Sequence, residues 1–124
     1  MSSTRTAIVT GASRGIGAAL VEALVNAGYN VVATSRNVNQ SLAASPNLVL
    51  VDGDIGKKET AAKVVAAAME KFGSIDLLVT NAGIFSTRPF TEFTTEDFNA
   101  LVSTNLLGFL YITQLAVTQM LKQG

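Results

Sequence analysis

Three glycines, Gly11, Gly15 and Gly17, stand directly after the apolar run Ala7-Ile8-Val9, in the stretch Thr10-Gly11-Ala12-Ser13-Arg14-Gly15-Ile16-Gly17. A strand ending at Thr10 and a helix opening near Ile16 leave a sharp turn between them, and each glycine has a separate use in it. Gly11 permits the turn, Gly15 lets a ligand approach the backbone, and Gly17 lets helix and strand pack closely. N–H groups at such a helix start favour a phosphate, with Ser13 and Arg14 in the same loop. Dipole stabilisation is only about 0.3 to 2 kcal/mol, so several N–H contacts must share the work. The loop alone is also compatible with a glycine-rich turn that binds nothing. The absence of Gly-Lys-Ser/Thr separates it from a triphosphate-binding P-loop.

Other chemistries are excluded by composition. The sequence has no cysteine and no histidine, so disulfides, Cys/His zinc sites, thiol nucleophiles and Ser-His triads are absent, and no metal site is expected. Nine basic and nine acidic residues cancel, which argues against nucleic acid as a partner. The most apolar region, Leu106 to Val117, is broken by Thr113 and Gln114. It falls short of the roughly 18 residues of a membrane span, so no membrane partner is expected. Met1 to Thr6 is polar and leaves no room for a secretory signal; a cytoplasmic protein is expected.

The elements that would hold the glycine loop are short β-rich runs alternating with helical patterns. Arg5–Thr10, Asn30–Ser35, Asn47–Val51 and Ser74–Thr80 read as strands. Their mostly continuous apolar character suits strands covered on both faces. Ile16–Ala27, a weak segment at Gln40–Ala44, and Lys57–Phe72 read as helices, with Gly28 and Gly73 where a C-terminal cap wants positive φ. Repeated strand-helix-strand units imply a parallel sheet with right-handed crossovers, in one domain of 124 residues. Thr95–Gln123 reads as one long helix with Thr94 as N-cap and Asp97 in its first turn. Phe98, Leu101, Val102, Leu106, Phe109, Leu110, Ile112, Leu115, Val117, Met120 and Leu121 spread beyond a single stripe of it. Burial between sheet and loops is one account; the expectation is a face on a partner subunit, making a homodimer or homotetramer through residues 95–123.

The spacing Gly11-x-x-x-Gly15-x-Gly17, introduced by Thr10, resembles the cofactor loop of the short-chain dehydrogenase/reductase family. Further matches follow in that family's order. Asp54-Ile55 comes just after the third strand, where the resemblance implies an aspartate contacting adenine. Asn81-Ala82-Gly83 follows the fourth strand and matches an Asn-Ala-Gly element that steadies the sheet and borders the cofactor. Asn105, within Ser103-Thr104-Asn105-Leu106-Leu107-Gly108, matches the family's catalytic-helix asparagine. Read without the resemblance, Asp54 could simply hold a turn. Asn105, flanked by apolar residues, would seek a buried partner for its amide. The implied fold is α/β, a Rossmann-type doubly wound parallel sheet.

The end of the second strand selects among dinucleotides. An acidic residue there suits the ribose 2′-OH of NAD, and an arginine suits a 2′-phosphate. Ala33-Thr34-Ser35-Arg36-Asn37 carries no carboxylate. Arg36, helped by the Ser35 hydroxyl, can donate charge-assisted bonds to a phosphate, and Arg14 can approach it from the other side. NADP(H) is therefore expected over NAD(H), together with Ser13, Ile16, Asn37, Ile55, Ala82 and Gly83 as binding residues.

The resemblance also implies a carbonyl-binding serine and a Tyr-x-x-x-Lys pair, and these have no match. The residues four beyond Tyr29 and Tyr111 are Ala33 and Leu115. The expectation is the N-terminal, cofactor-binding half of a sheet truncated after its fourth strand and following helix, with that strand left as an edge. The parent protein would be an NADP(H)-dependent oxidoreductase acting on a small alcohol, ketone or aldehyde, similar to 3-oxoacyl-carrier-protein reductases. The rival reading is a non-catalytic short form that binds nucleotide or a partner subunit. Phe85, Ser86, Thr87 and Arg88 border the substrate mouth or form a solvated loop.

Overall fold

The computed structural model describes residues 4–85 and 88–124. Four apolar runs rich in branched side chains pair in parallel: β1 (Thr6–Thr10), β2 (Asn30–Ser35), β3 (Leu48–Asp52) and β4 (Leu77–Val79), in the order β3-β2-β1-β4. Such residues fit a pleated surface buried on both faces. The crossovers carry α1 (Gly15–Asn26), α2 (Val38–Ser41) and α3 (Lys58–Phe72). After β4 come a single 3-10 turn at Phe90–Glu92, α4 (Thr95–Leu101), a wide π turn at Val102–Leu107 and α5 (Gly108–Gln123).

Alternation along the strands divides the core into two layers. Ile8 and Val32 face α3 and α5, packing with Val64, Ala68, Ile75, Ile112 and Ala116. Val9, Val31 and Ala33 face the other way, with Val21, Val38 and Leu48. Each fully buried aliphatic side chain contributes about 1.5 to 3 kcal/mol, so both layers hold the strand ends firmly. Gly28 and Gly73 take positive φ, 93° and 78°, at the helix ends where that was expected.

Three expectations need correction. The strand expected over Ser74–Thr80 is confined to Leu77–Val79. Ile75 is taken by the Gln123 amide of α5 instead, which accepts its N–H at 3.0 Å and donates to its carbonyl at 2.9 Å. The single helix expected over Thr95–Gln123 is two α-helices joined by the π turn. Taken as one segment it is also long and apolar enough, by length and composition, to cross a membrane. Even so, Ile112 and Ala116 lie fully buried in the sheet core. Its outer side is open: Leu106 is 63%, Phe109 52% and Leu121 77% exposed.

Candidate functional site

In the order β3-β2-β1-β4, the chain steps outward from β1 to β2 and β3, then crosses back to place β4 on the other side of β1. A crevice opens at this reversal, at the carboxyl ends of the strands. It has a volume of about 860 Å³. Gly11, Ser13, Arg14, Gly15, Ile16, Ser35, Arg36, Asn37, Asp54, Ile55, Asn81, Ala82 and Gly83 all line it, brought together from four separate strand ends. Two expected residues do not: Gly17 is buried behind the loop, and Asn105 stands behind Ile84.

The glycine loop is built by contact with a second loop. Gly11 and Gly15 adopt φ of 63° and 61°, where a side chain would be strained. A Cβ on Gly11 would sit 2.8 Å from the Ala82 backbone. Thr10 Oγ1, buried at the end of β1, accepts the N–H groups of both Asn81 and Ala82 at 3.0 Å. The Asn81 amide donates to the Gly11 carbonyl at 3.1 Å. The role expected for Gly17, close packing of helix on strand, is different here. A Cβ there would collide with the Gly11 carbonyl and lie 2.7 Å from the Asn81 amide nitrogen, so Gly17 makes room for the loop-to-loop contact. Gly15 has open space where its Cβ would be, and neighbouring Ile16 is 73% exposed. An approaching ligand would meet bare backbone and an apolar lip.

The far end of the crevice is cationic. Arg14 and Arg36 are exposed, and neither forms an ion pair among the described residues. Thr34 and Ser35 line the same crevice, and their hydroxyl oxygens are buried without a hydrogen-bond partner. Buried polar groups ordinarily have partners, so these two orphans and two free guanidinium groups suit an anionic, hydrogen-bonding ligand. The Asp54 carboxylate lines the same crevice while its Oδ1 accepts the Gly56 N–H at 2.9 Å; it holds a turn and faces the crevice at once.

Asn105 projects from the π turn. Its Oδ1 accepts the Ile84 N–H and its Nδ2 donates to the Ile84 carbonyl, both at 2.8 Å. The buried partner expected for this amide is thus an exposed loop backbone. Ile84 and Phe85 line the crevice, as do Thr34, Ser41, Gly53 and Thr104, which were not foreseen. Thr34 and Gly53 lie at strand ends, a position that could have marked them; Ser41 and Thr104 carry no local signal. Ser86 and Thr87 lie outside the described residues. Arg88 pairs with Asp97 at 2.7 Å. The expected Thr94 cap is a full capping box: Thr94 Oγ1 accepts the Asp97 N–H, and Asp97 accepts the Thr94 N–H. That backbone bond is the main cause holding the Asp97 carboxyl below its ordinary range; partial desolvation opposes it, and the Thr94 hydroxyl and Arg88 add to it. Neither tyrosine lines the crevice; Tyr111 packs against the core with Lys58 Nζ 5.6 Å from its ring.

Residues 5–124 match the family described as short chain dehydrogenase. A diacetyl reductase [(S)-acetoin forming] of Staphylococcus epidermidis is 32% identical over 128 residues, covering 96% of this chain and 49% of that protein. A solved glucose/ribitol dehydrogenase of the short-chain type from Brucella melitensis superposes with a TM-score of 0.85 at 36% identity, over 93% of this chain and 52% of that one. A variant of ElxO solved with NADPH bound superposes with a TM-score of 0.84 at 28% identity, over 97% of this chain and 52% of that one. The chain spans about half the length of the curated relatives it matches.

Proposed function

The chain belongs to the short-chain dehydrogenase family, and on that premise we propose that it is the cofactor-binding half of an NADP(H)-dependent oxidoreductase. The reaction would interconvert a small alcohol and a ketone or aldehyde. Hydride donation and acceptance are the chemistry a bound nicotinamide supplies. This chain's residues do the holding. The backbone of Gly11–Gly17 receives the pyrophosphate, and Asp54 and Ile55 flank the adenine. Asn81-Ala82-Gly83 and the Asn105-braced Ile84 form the wall near the reacting end.

The observation that carries the cofactor reading is the acid-free end of β2. There Arg14 and Arg36 stand unpaired beside the partnerless Ser35 hydroxyl. A hydrogen bond to a charged group contributes about 1.5 to 3 kcal/mol, so one such bond to a 2′-phosphate favours NADP(H) about tenfold or more. Calorimetric titration of NADPH and NADH into the chain and into Arg36→Asp tests this. The variant should lose most of the preference. An unchanged ratio overturns the role of Arg36, and no heat with either nucleotide overturns the reading as a whole.

The general acid and its lysine partner would come from sequence beyond these residues. The purified 124-residue chain should therefore show no carbonyl-dependent NADPH oxidation. The open apolar side of α5 would meet a second copy in a homodimer or homotetramer, in the cytoplasm; sedimentation of Phe109→Glu against the parent chain checks the interface.

A further inference from the structure

The π turn between α4 and α5 is defined by the Ser103 carbonyl accepting the Gly108 N–H, a span of five residues instead of four. Both ends of that bond are pressed by consecutive residues of the loop after β3. A Cβ on Gly56 would lie 2.8 Å from the Ser103 carbonyl oxygen and overlap its hydroxyl; a Cβ on Gly108 would lie 2.7 Å from Ile55 Cγ2. The loop is itself fixed, because Asp54 holds the Gly56 N–H and Ile55 is buried in the core.

The widening decides where Asn105 points. In an unbroken α-helix each residue advances about 100°. Asn105 would then share a face with Ile112 and Ala116, two and three turns on, which are fully buried against the sheet. The additional residue taken up across the π turn swings Asn105 off that face, leaving it exposed. There its amide meets both backbone groups of Ile84.

We propose that Gly56 is a positioning residue: seated against Ser103, it holds the widened turn that aims Asn105 at Ile84 and so sets the crevice wall. Its consequence for catalysis rests on the cofactor reading above, whereas the contacts do not.

Amide exchange at Ile84, measured on the nucleotide-free chain, tests the proposal independently of that reading. Gly56→Ala should speed Ile84 exchange about tenfold, the factor held back by one hydrogen bond of ordinary net strength. Asn105→Ala should do the same, and the double variant should exchange no faster than Asn105→Ala, because the glycine acts through the asparagine. Gly73→Ala, strained by its φ of 78° but touching nothing, should leave Ile84 unchanged. If Gly56→Ala does not fold, Gly108→Ala presses on the same turn through the movable Ile55 side chain and should reproduce the pattern. Unchanged exchange at Ile84 in the folded glycine variants, or additive effects of Gly56→Ala and Asn105→Ala, would overturn it. Failure of NADPH to bind the parent chain would overturn the cofactor reading and leave these exchange results standing.

Discussion

Thr10→Val isolates the contact that joins the two loops of the crevice. The Thr10 side chain is 1% exposed, and its hydroxyl accepts two N–H groups, from Asn81 and Ala82, at 3.0 Å each. Valine keeps the shape and removes the acceptor. Each donor left without a partner costs about 1 to 3 kcal/mol. Both donors are part-buried, so the lower end of that range applies, and the total is about 2 to 4 kcal/mol. Thr10→Ser keeps the acceptor and deletes one methyl group, a loss of about 1 kcal/mol. Hydrogen bonding therefore predicts valine to be the worse substitution, and packing alone predicts serine. Urea unfolding followed by far-UV circular dichroism separates them, since with a slope of about 2 kcal/mol per molar the valine midpoint should fall by about 1 to 2 M. Should serine destabilise as much as valine, the hydroxyl is not what joins the loops.

Gly17→Ala forces a methyl group against the Gly11 carbonyl and the Asn81 amide. It should lower stability by about 1 to 3 kcal/mol and weaken NADPH more than the Gly73→Ala control does, as read by calorimetry. Asp97 has a carboxyl pKa lowered in the folded chain, so its cap stabilises α4 above the unfolded value near about 4 and is lost as pH falls through the lower folded value. Amide protection in α4, taken relative to the intrinsic exchange rate at each pH, should fall on that acidification, and Asp97→Asn should flatten the dependence; a parallel protection profile in the variant would show that another group is responsible.

Local chemistry was legible in the sequence wherever a residue acts through its own backbone or its nearest turn. Gly28 and Gly73 announce positive φ because only glycine enters that region cheaply, and Thr94 with Asp97 three residues on announces a capping box. The glycine loop and the four strands follow from the same kind of local spacing, and the resemblance to the short-chain family supplied Asp54, Ile55 and Asn81-Ala82-Gly83 for the crevice lining. Tertiary structure decided what depends on partners far along the chain. Gln123 takes Ile75 away from β4, Thr10 is satisfied by Asn81 and Ala82, and Gly17 is required by a loop rather than a strand. The direction of Asn105 is the clearest case. Apolar periodicity through Thr95–Gln123 reads as one unbroken helix, because the cause of the widened turn is the pressure of Ile55 and Gly56 from another element. Spacing within a segment records which face it can bury; it holds no record of what will be pushed against it.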